Sequence, residues 1–256
     1  MDLQLKGLKV VVTGGTRGIG LAIAQTFVDE GADVAICARD SALVEQTVAE
    51  LQKRAAKGGR VTGAAVDVSD GAALQAWTRT SADTFGGLDI VVANVSALSI
   101  GNDEKSWRAE FETDMMGTVN LVTAAMPYLE ASKAASIVAI SSVSAREIDF
   151  AAGPYGTFKA AVLHYVQGLA FQLAPKGIRA NAVSPGNTYF PGGVWDHIEK
   201  TDPKLFADSL ALNPMGRMAR PQEVANAVVF VSSPAASFIS GTNVVVDGAL
   251  TRGVQL

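Results

Sequence analysis

The chain has 256 residues, of which 48% are hydrophobic and 25 are glycine, a composition that excludes a disordered chain. Its 21 basic and 25 acidic residues give a formal net charge of −4, without the basic excess typical of nucleic-acid-binding proteins. One cysteine and two histidines exclude an internal disulfide and argue against a zinc cluster.

The first residues, MDLQLKGLKVVVTGG, lack the positive start and the small-residue cleavage site of a signal peptide. Apolar runs stop short of the roughly 18 residues that a membrane span needs. We therefore expect a cytoplasmic protein with no membrane partner and no nucleic-acid partner.

Short apolar runs alternate with longer segments of helical period along the whole chain. The predicted strands are 8–13, 33–37, 61–66, 88–93, 136–141, 178–183 and 244–246. The predicted helices are 18–30, 41–56, 70–85, 103–131, 155–174 and 221–232. Continuously hydrophobic strands are typical of a parallel sheet that helices cover on both faces. The pattern predicts an α/β fold, with residues 1–256 forming a single doubly wound Rossmann-type domain around a seven-stranded parallel sheet.

One interval, residues 187–220, interrupts this alternation. It holds three prolines and three glycines, yet it also exposes the apolar side chains of Tyr189, Phe190, Trp195, Leu205 and Phe206. Long apolar loops are often binding loops, so we expect a substrate lid here. An ordinary insertion packed on the surface is the alternative.

A glycine-rich turn joins the first predicted strand to the first predicted helix, Thr13-Gly14-Gly15-Thr16-Arg17-Gly18-Ile19-Gly20. We call residues 13–20 the glycine loop. Glycines let a backbone approach a pyrophosphate closely, and the free N–H groups and dipole at a helix start attract its charge. The loop therefore predicts a dinucleotide site, although its G-x-x-x-G-x-G spacing differs from G-x-G-x-x-G.

The second predicted strand leads into Ala38-Arg39-Asp40, where the adenosine ribose of a dinucleotide would lie. A guanidinium there can clamp a 2′-phosphate, and Arg17 of the glycine loop could reach the same phosphate. The two arginines favour NADP(H). Asp40 favours NAD(H) instead, because an acidic residue pairs with the free ribose hydroxyls of that cofactor. In a further alternative, both arginines are solvated surface residues that do not contact a cofactor.

Tyr155 and Lys159 share one face at the start of a predicted helix, because four residues make about one helical turn. A cation within about 4–6 Å lowers the pKa of a tyrosine from about 10 and makes it a usable acid or base. Ser142, at the end of the preceding strand, could hydrogen-bond the same carbonyl oxygen. The three residues predict hydride-transfer chemistry at a carbonyl group.

Taken together, these motifs resemble the short-chain dehydrogenase/reductase family over essentially the whole chain. The resemblance implies a catalytic set of Ser142, Tyr155 and Lys159, and a homotetramer. It also implies that Lys159 and Tyr155 contact the cofactor, together with Gly14, Thr16, Gly18, Ile19, Gly20, Asp67, Val68, Asn94, Pro185, Gly186 and Thr188. Arg17 and Arg39 join this set as the predicted partners of the 2′-phosphate.

The chain departs from the family pattern at two cofactor positions. Val95 and Ser96 follow Asn94 where the family has smaller residues. After the Pro-Gly turn the family places a threonine farther along the chain, whereas here Asn187-Thr188 follow the glycine directly. Thr188 is nonetheless the expected partner of the nicotinamide carboxamide.

A third departure concerns Asp114, which falls where the family has a catalytic asparagine. A carboxylate there would strengthen the positive charge of Lys159 and oppose ionisation of Tyr155, raising the pKa of that phenol. We therefore include Asp114 in the catalytic set and expect an alkaline-shifted pH profile. A surface or helix-capping aspartate is the alternative.

The sequence thus predicts an NADP(H)-dependent oxidoreductase that interconverts a ketone and a secondary alcohol. The apolar lid favours a small apolar or aromatic substrate. A 3-oxoacyl reductase is an alternative, although Lys133 is the only basic residue in segments 126–135 and 162–174, which could hold an acidic carrier. Two further alternatives are a non-catalytic nucleotide-binding protein and an isomerase or dehydratase.

Overall fold

A single parallel sheet organises the computed structural model, which describes residues 1–56 and 58–253. Its order, β3-β2-β1-β4-β5-β6-β7, is that of a doubly wound Rossmann-type sheet and confirms the predicted fold class. Lys57 and residues 254–256, which the predicted domain includes, lie outside the described residues. The strands are β1 (Lys9–Thr13), β2 (Asp33–Ala38), β3 (Val61–Ala65), β4 (Ile90–Ala93), β5 (Ser136–Ile140), β6 (Arg179–Pro185) and β7 (Asn243–Val246).

Helices cover the sheet on both faces. They are α1 (Gly18–Asp29), α2 (Ser41–Arg54), α3 (Gly71–Phe85), α4 (Glu104–Glu110), α5 (Gly117–Leu129), α6 (Pro154–Leu173), α7 (Val194–Thr201), α8 (Pro203–Ala211) and α9 (Pro221–Ser232). Residues of α3, α5 and α6 share one buried cluster with the sheet, and residues of α1, α2 and α9 share the other. Together the two layers bury both faces of the strands.

The two-sided core explains why the strands read as unbroken hydrophobic runs. Successive side chains of a strand point to opposite faces, so Val11 packs in one cluster while Val10 and Val12 pack in the other. All three side chains are fully buried. Strands with this pattern are stable only inside a layered α/β fold.

The predicted helix 103–131 is wrong in one respect. A π-helical turn (Phe111–Met116) separates α4 from α5, so the segment is not one regular helix. Such turns insert an extra residue and are frequent at functional sites. This one carries Asp114.

The segment 187–220 is also more ordered than a loop, because it contains α7 and α8. Asp202 caps α8 by accepting a hydrogen bond from Leu205 N at 3.0 Å, and Pro203 occupies the first helical position. Trp195 is 5% exposed, and Tyr189, Phe190, Leu205 and Phe206 are partly buried, so the expectation that these side chains lie exposed is wrong. We keep the name lid segment for residues 187–220. No helix in the described part of the chain is long and apolar enough to cross a membrane.

Candidate active site

The glycine loop turns from β1 into α1 at the carboxyl edge of the sheet. Gly14 (φ +66°) and Gly18 (φ +54°) adopt left-handed backbone conformations that side chains disfavour. At Gly20 the constraint is space, since a Cβ there would lie 2.1 Å from the carbonyl oxygen of Gly14. The loop therefore presents bare backbone before the N-terminus of a twelve-residue helix, which suits an anion such as a pyrophosphate.

Asn94, at the end of β4, holds this loop in place. Its backbone N–H donates to Thr13 Oγ1 at 3.0 Å, and its Nδ2 donates to Thr13 O at 3.0 Å and Gly14 O at 3.3 Å. The side-chain amide of Asn94 thus fixes the backbone of the glycine loop, and with it the shape of the candidate cofactor site.

The close approach at Gly20 gives a stability prediction. Gly20→Ala should lower the free energy of unfolding by about 1–3 kcal/mol, because the added methyl group would meet backbone that cannot yield. Gly168→Ala is the matched control, since a Cβ on that helical glycine meets nothing within 4 Å. We expect Gly168→Ala to be neutral or stabilising by up to about 1 kcal/mol. Urea unfolding of both variants tests this, and equal effects would contradict the packing argument.

Two arginines and two aspartates lie around the edge formed by the glycine loop and β2. Arg17 and Arg39 are exposed. Asp40 is the N-cap of α2, where its Oδ1 accepts from Leu43 N at 3.0 Å. Hydrogen bonds from Ser69 lower the pKa of Asp67, and the positive charge of Arg39 lowers it further. The charge of the Arg39 guanidinium therefore reaches Asp67 at this edge. The Asp40 carboxylate is already engaged as the N-cap of α2.

The turn after β6 lies on the other side of the glycine loop. Gly186 packs so closely that a Cβ would lie 2.8 Å from Asp247 Cβ. Thr188 is buried and its Oγ1 donates to Gly186 O at 3.1 Å. Thr188 also pairs with Ala219 in an isolated β-bridge, which joins the two ends of the lid segment.

Phe190 brings the lid segment onto the glycine loop. A Cβ on Gly18 would lie 2.4 Å from Phe190 Cζ, so the ring rests directly on that glycine. The sequence places Phe190 among the lid aromatics but does not predict this contact, because it depends on how the lid segment folds.

Ser142, Tyr155 and Lys159 converge between the end of β5 and the start of α6. Lys159 is 3% exposed; its Nζ donates to Ile140 O at 3.0 Å and lies 5.7 Å from the centroid of the Tyr155 ring. Ser142 Oγ accepts from Ser144 N at 3.1 Å. Ser141 Oγ fixes the helix by donating to Lys159 O at 2.9 Å. The predicted three-residue set is therefore assembled in space.

Asp114 lies against Lys159. Its Oδ1 is 2.9 Å from Lys159 Nζ, its Oδ2 accepts from Ala97 N at 2.9 Å, and its side chain is buried. Asp114 is thus neither a surface residue nor a cap. Burial by itself lowers the pKa of Lys159, but the charge of Asp114 and then that of Tyr155 raise it, and the net pKa is above the ordinary value.

The phenol of Tyr155 is pulled in both directions. Burial raises its pKa most, the charge of Lys159 and a hydrogen bond with Ser142 lower it, and the charges of Asp114 and Glu110 raise it. The net pKa lies above the ordinary value. Burial is the main cause of this rise, and the charge of Asp114 adds to it.

A cluster of aromatic rings joins the lid segment to the loop between β5 and α6. The ring centroids of Phe150 and Trp195 are 5.8 Å apart, and Trp195 is 6.4 Å from Phe206. Tyr189 lies 6.1 Å from Phe206. Edge-on pairs of this kind are favourable and fix orientation. The rings thus form an apolar wall, of which Phe150 lies close in sequence to Tyr155.

Known proteins resemble this chain over nearly its whole length. Over residues 14–251 the chain matches the family described as enoyl-(acyl carrier protein) reductase. It is 42% identical over 255 residues to isoepoxydon dehydrogenase patN of Penicillium expansum, covering 98% of this chain and 97% of that protein. The chain belongs to the short-chain dehydrogenase/reductase family.

Two solved structures of this family superpose closely on the chain. L-sorbose reductase of Gluconobacter frateurii, complexed with NADPH and L-sorbose, has a TM-score of 0.90 at 28% identity, covering 99% of this chain and 100% of that one. A 7α-hydroxysteroid dehydrogenase, complexed with NADH and 7-oxoglycochenodeoxycholic acid, has a TM-score of 0.89 at 28% identity, covering 97% and 96%. Short-chain dehydrogenase/reductases of this shape therefore include both NADPH and NADH complexes.

Within this short-chain dehydrogenase/reductase site, sequence reasoning missed Glu110. The residue is fully buried, and its Oε1 accepts from Ser99 N at 2.5 Å. Burial raises its pKa to about 8, with the charge of Asp114 as the next cause. Its spacing of four residues from Asp114 was the available signal, but the spacing alone did not show that both carboxyls face inward.

Proposed function

We propose that this protein is an NADP(H)-dependent oxidoreductase that interconverts a ketone and a secondary alcohol. The observation that carries the proposal is the assembly of Ser142, Tyr155 and Lys159 at the carboxyl edge of the sheet, next to a glycine loop shaped for a dinucleotide. A protein that only sensed a nucleotide would need the loop but not this buried set.

Each residue of the set has a separate task. Tyr155 exchanges a proton with the substrate oxygen, and Ser142 hydrogen-bonds that oxygen as its charge changes. Lys159 has three N–H donors. One is accepted by Ile140 O and the ammonium pairs with Asp114, which leaves a donor for a ribose hydroxyl. The nicotinamide cofactor, when bound, supplies or accepts the hydride.

The chain's own residues suit a dinucleotide. We assign the pyrophosphate to the backbone of Gly14, Thr16, Arg17, Gly18, Ile19 and Gly20. Asp67 and Val68 would contact the adenine, with Asn94 holding the loop. Pro185, Gly186 and Thr188 would lie beside the nicotinamide.

Arg39 and Arg17 favour NADP(H) over NAD(H). Asp40, the dissenting residue, already caps α2, which weakens its case as a ribose ligand. A guanidinium at the end of β2 is placed to pair with a 2′-phosphate.

Arg39→Asp should weaken NADPH binding about tenfold or more, because it removes a charge-assisted hydrogen bond and adds a repelling charge. NADH binding should change much less. Arg79→Asp, which alters an exposed arginine of α3, is the control. Fluorescence titration of the wild type and both variants with NADPH and NADH measures the six dissociation constants. Equal losses of NADPH and NADH affinity in Arg39→Asp would contradict the assigned pocket.

For the substrate we propose a free small molecule held against the aromatic wall of the lid segment. Support comes from Phe150, Trp195 and Phe206, and from relatives whose names give isoepoxydon and L-sorbose as their small-molecule partners. The matched family's description makes a carrier-bound acyl chain the second candidate. The family resemblance further supports a homotetramer, and the free Cys37 fits a reducing, cytoplasmic location.

The deciding experiment is NADPH consumption with a panel of cyclic, aromatic and open-chain ketones and an acyl-carrier thioester. We expect turnover with a free cyclic or aromatic ketone. Turnover with the thioester alone would favour the acyl reductase. Cofactor binding without consumption on the whole panel would contradict the proposed reaction and favour a sensor or an isomerase.

A further inference from the structure

The buried group behind the proposed catalytic set contains one more acid than it has cations. Lys159 supplies one positive charge, whereas Asp114 and Glu110 supply two carboxyls. All three side chains are almost completely buried, Glu110 at 0%, Asp114 at 1% and Lys159 at 3% exposure. Because an unpaired charge in a dry site is very unfavourable, two ionised carboxylates and one ammonium are a poor combination there.

The neighbouring ammonium distinguishes the two acids. Asp114 Oδ2 accepts a backbone N–H at 2.9 Å, and its Oδ1 lies 2.9 Å from Lys159 Nζ, so a positive charge stabilises Asp114 as a carboxylate. Asp114 Oδ1 nevertheless has no hydrogen-bond partner among the described residues and can accept a proton donor. Glu110 receives one N–H, from Ser99 on Oε1, and its buried Oε2 has no donor among the described residues. An oxygen of that kind is the natural place for a proton.

Among the described residues, Lys159 is the one cation whose charge acts on Glu110. The groups that act on Glu110 are Asp114 in the adjoining π-helical turn and Lys159 on α6, and Glu110 in turn acts on Tyr155 of α6. The other charged side chains of α4 and of the π-helical turn are exposed, namely Glu104, Lys105, Arg108 and Glu112. The two inward acids are within hydrogen-bonding reach of each other.

We propose that Glu110 is a positioning residue that carries a proton on Oε2 and donates it to Asp114, so that Lys159 faces a single negative charge. This role rests on the proposed function only where it concerns catalysis. Loss of the proton would place a second negative charge behind Tyr155 and make its phenolate harder to form. The increase in pKa at Glu110 supports this order of ionisation.

Glu110→Gln is the sharp test, because an amide keeps both hydrogen bonds that a neutral Glu110 makes but cannot ionise. Its matched control is Glu112→Gln, which removes an exposed carboxyl two residues away. In the direction of alcohol oxidation, the alkaline rise of kcat/KM should begin about half to one pH unit lower in E110Q than in the wild type. This corresponds to an increase of about three- to tenfold near pH 8. The profile of E112Q should overlie that of the wild type.

A second measurement does not depend on activity. The pKa of Glu110 is raised from 4.5 to about 8 by folding, so its stabilising effect is complete below pH 4.5 and is lost as pH rises to about 8. Relative to E110Q, the wild type should therefore lose stability between these pH values and no further above them. Urea unfolding midpoints of the wild type and E110Q across this pH range measure the difference in stability. The difference in stability between the wild type and E112Q should not change with pH.

The outcomes separate the two proposals. Parallel stability curves for the wild type and E110Q would overturn the shared proton, and superimposed pH profiles would overturn its catalytic effect. An inactive wild type would contradict the proposed function, and the unfolding comparison would then decide the proton. Should E110Q not fold, infrared spectroscopy of the wild type decides whether Glu110 carries a proton. The carbonyl stretch of a protonated carboxyl should be present at pH 7 and lost by pH 10, and its absence at pH 7 would overturn the proposal.

Discussion

Tyr155→Phe is expected to reduce turnover by about 10²- to 10⁴-fold while leaving the protein folded and able to bind its cofactor. The substitution removes only the phenolic oxygen. That oxygen exchanges the proton in the proposed reaction. Ser142 and Lys159 have other tasks there, since Ser142 hydrogen-bonds the substrate oxygen and the Lys159 ammonium holds Ile140 O and pairs with Asp114. The binding surface of the glycine loop is unaffected.

Steady-state NADPH consumption measures this effect on the best ketone found. Tyr165→Phe, ten residues along the same helix, is the control and should retain wild-type turnover. Nicotinamide fluorescence should report similar NADPH affinity for both variants. Undiminished turnover in Tyr155→Phe would remove the proposed chemistry and leave the fold untouched.

The strands and most helices could be predicted because local pattern and global fold agree in this chain. Val10, Val11 and Val12 are apolar in sequence, and the sheet buries all three between two helical layers. Tyr155 and Lys159 could be predicted to lie on the same face, since both belong to α6 and residues four apart on a helix are neighbours. Asp114 is predicted from the family resemblance, although it lies in a π-helical turn that breaks the regular helical spacing.

The remaining features depend on contacts between elements that are distant in sequence. The position of Phe190 on Gly18 follows from how the lid segment returns to the glycine loop. The aromatic cluster buries Trp195 only because α7 and α8 form within a segment that reads as a loop. Glu110 reads as a surface residue until Ser99 is seen to donate to it from the loop after β4. None of these pairings leaves a periodic signal.

The largest loss of stability is expected when both acids near Lys159 are neutralised. In Asp114→Asn, Glu110 loses the neighbouring charge that helps to raise its pKa, ionises more readily and replaces Asp114 as the counter-charge. In Glu110→Gln, Asp114 remains. Asp114→Asn alone should therefore cost only about 1 kcal/mol of unfolding free energy at pH 7. Glu110→Gln alone should not lower it, because the wild type has already lost stability to the raised pKa of Glu110 at that pH.

Asp114→Asn/Glu110→Gln leaves Lys159 as a buried ammonium without a counter-charge, and we expect a loss of about 3–5 kcal/mol, more than the sum of the single variants. Folding raises the pKa of Lys159, so its stabilising effect is present at pH 7 and is lost only as pH rises through its folded pKa. The deficit of the double variant should accordingly be full at pH 7 and shrink in strong alkali. Urea unfolding of all four proteins measures the coupling. If the unpaired charge is the cause, adding Lys159→Met should restore stability to the double variant. Additive effects of the single variants, or a further loss on adding Lys159→Met, would show that the three groups do not share one charge balance.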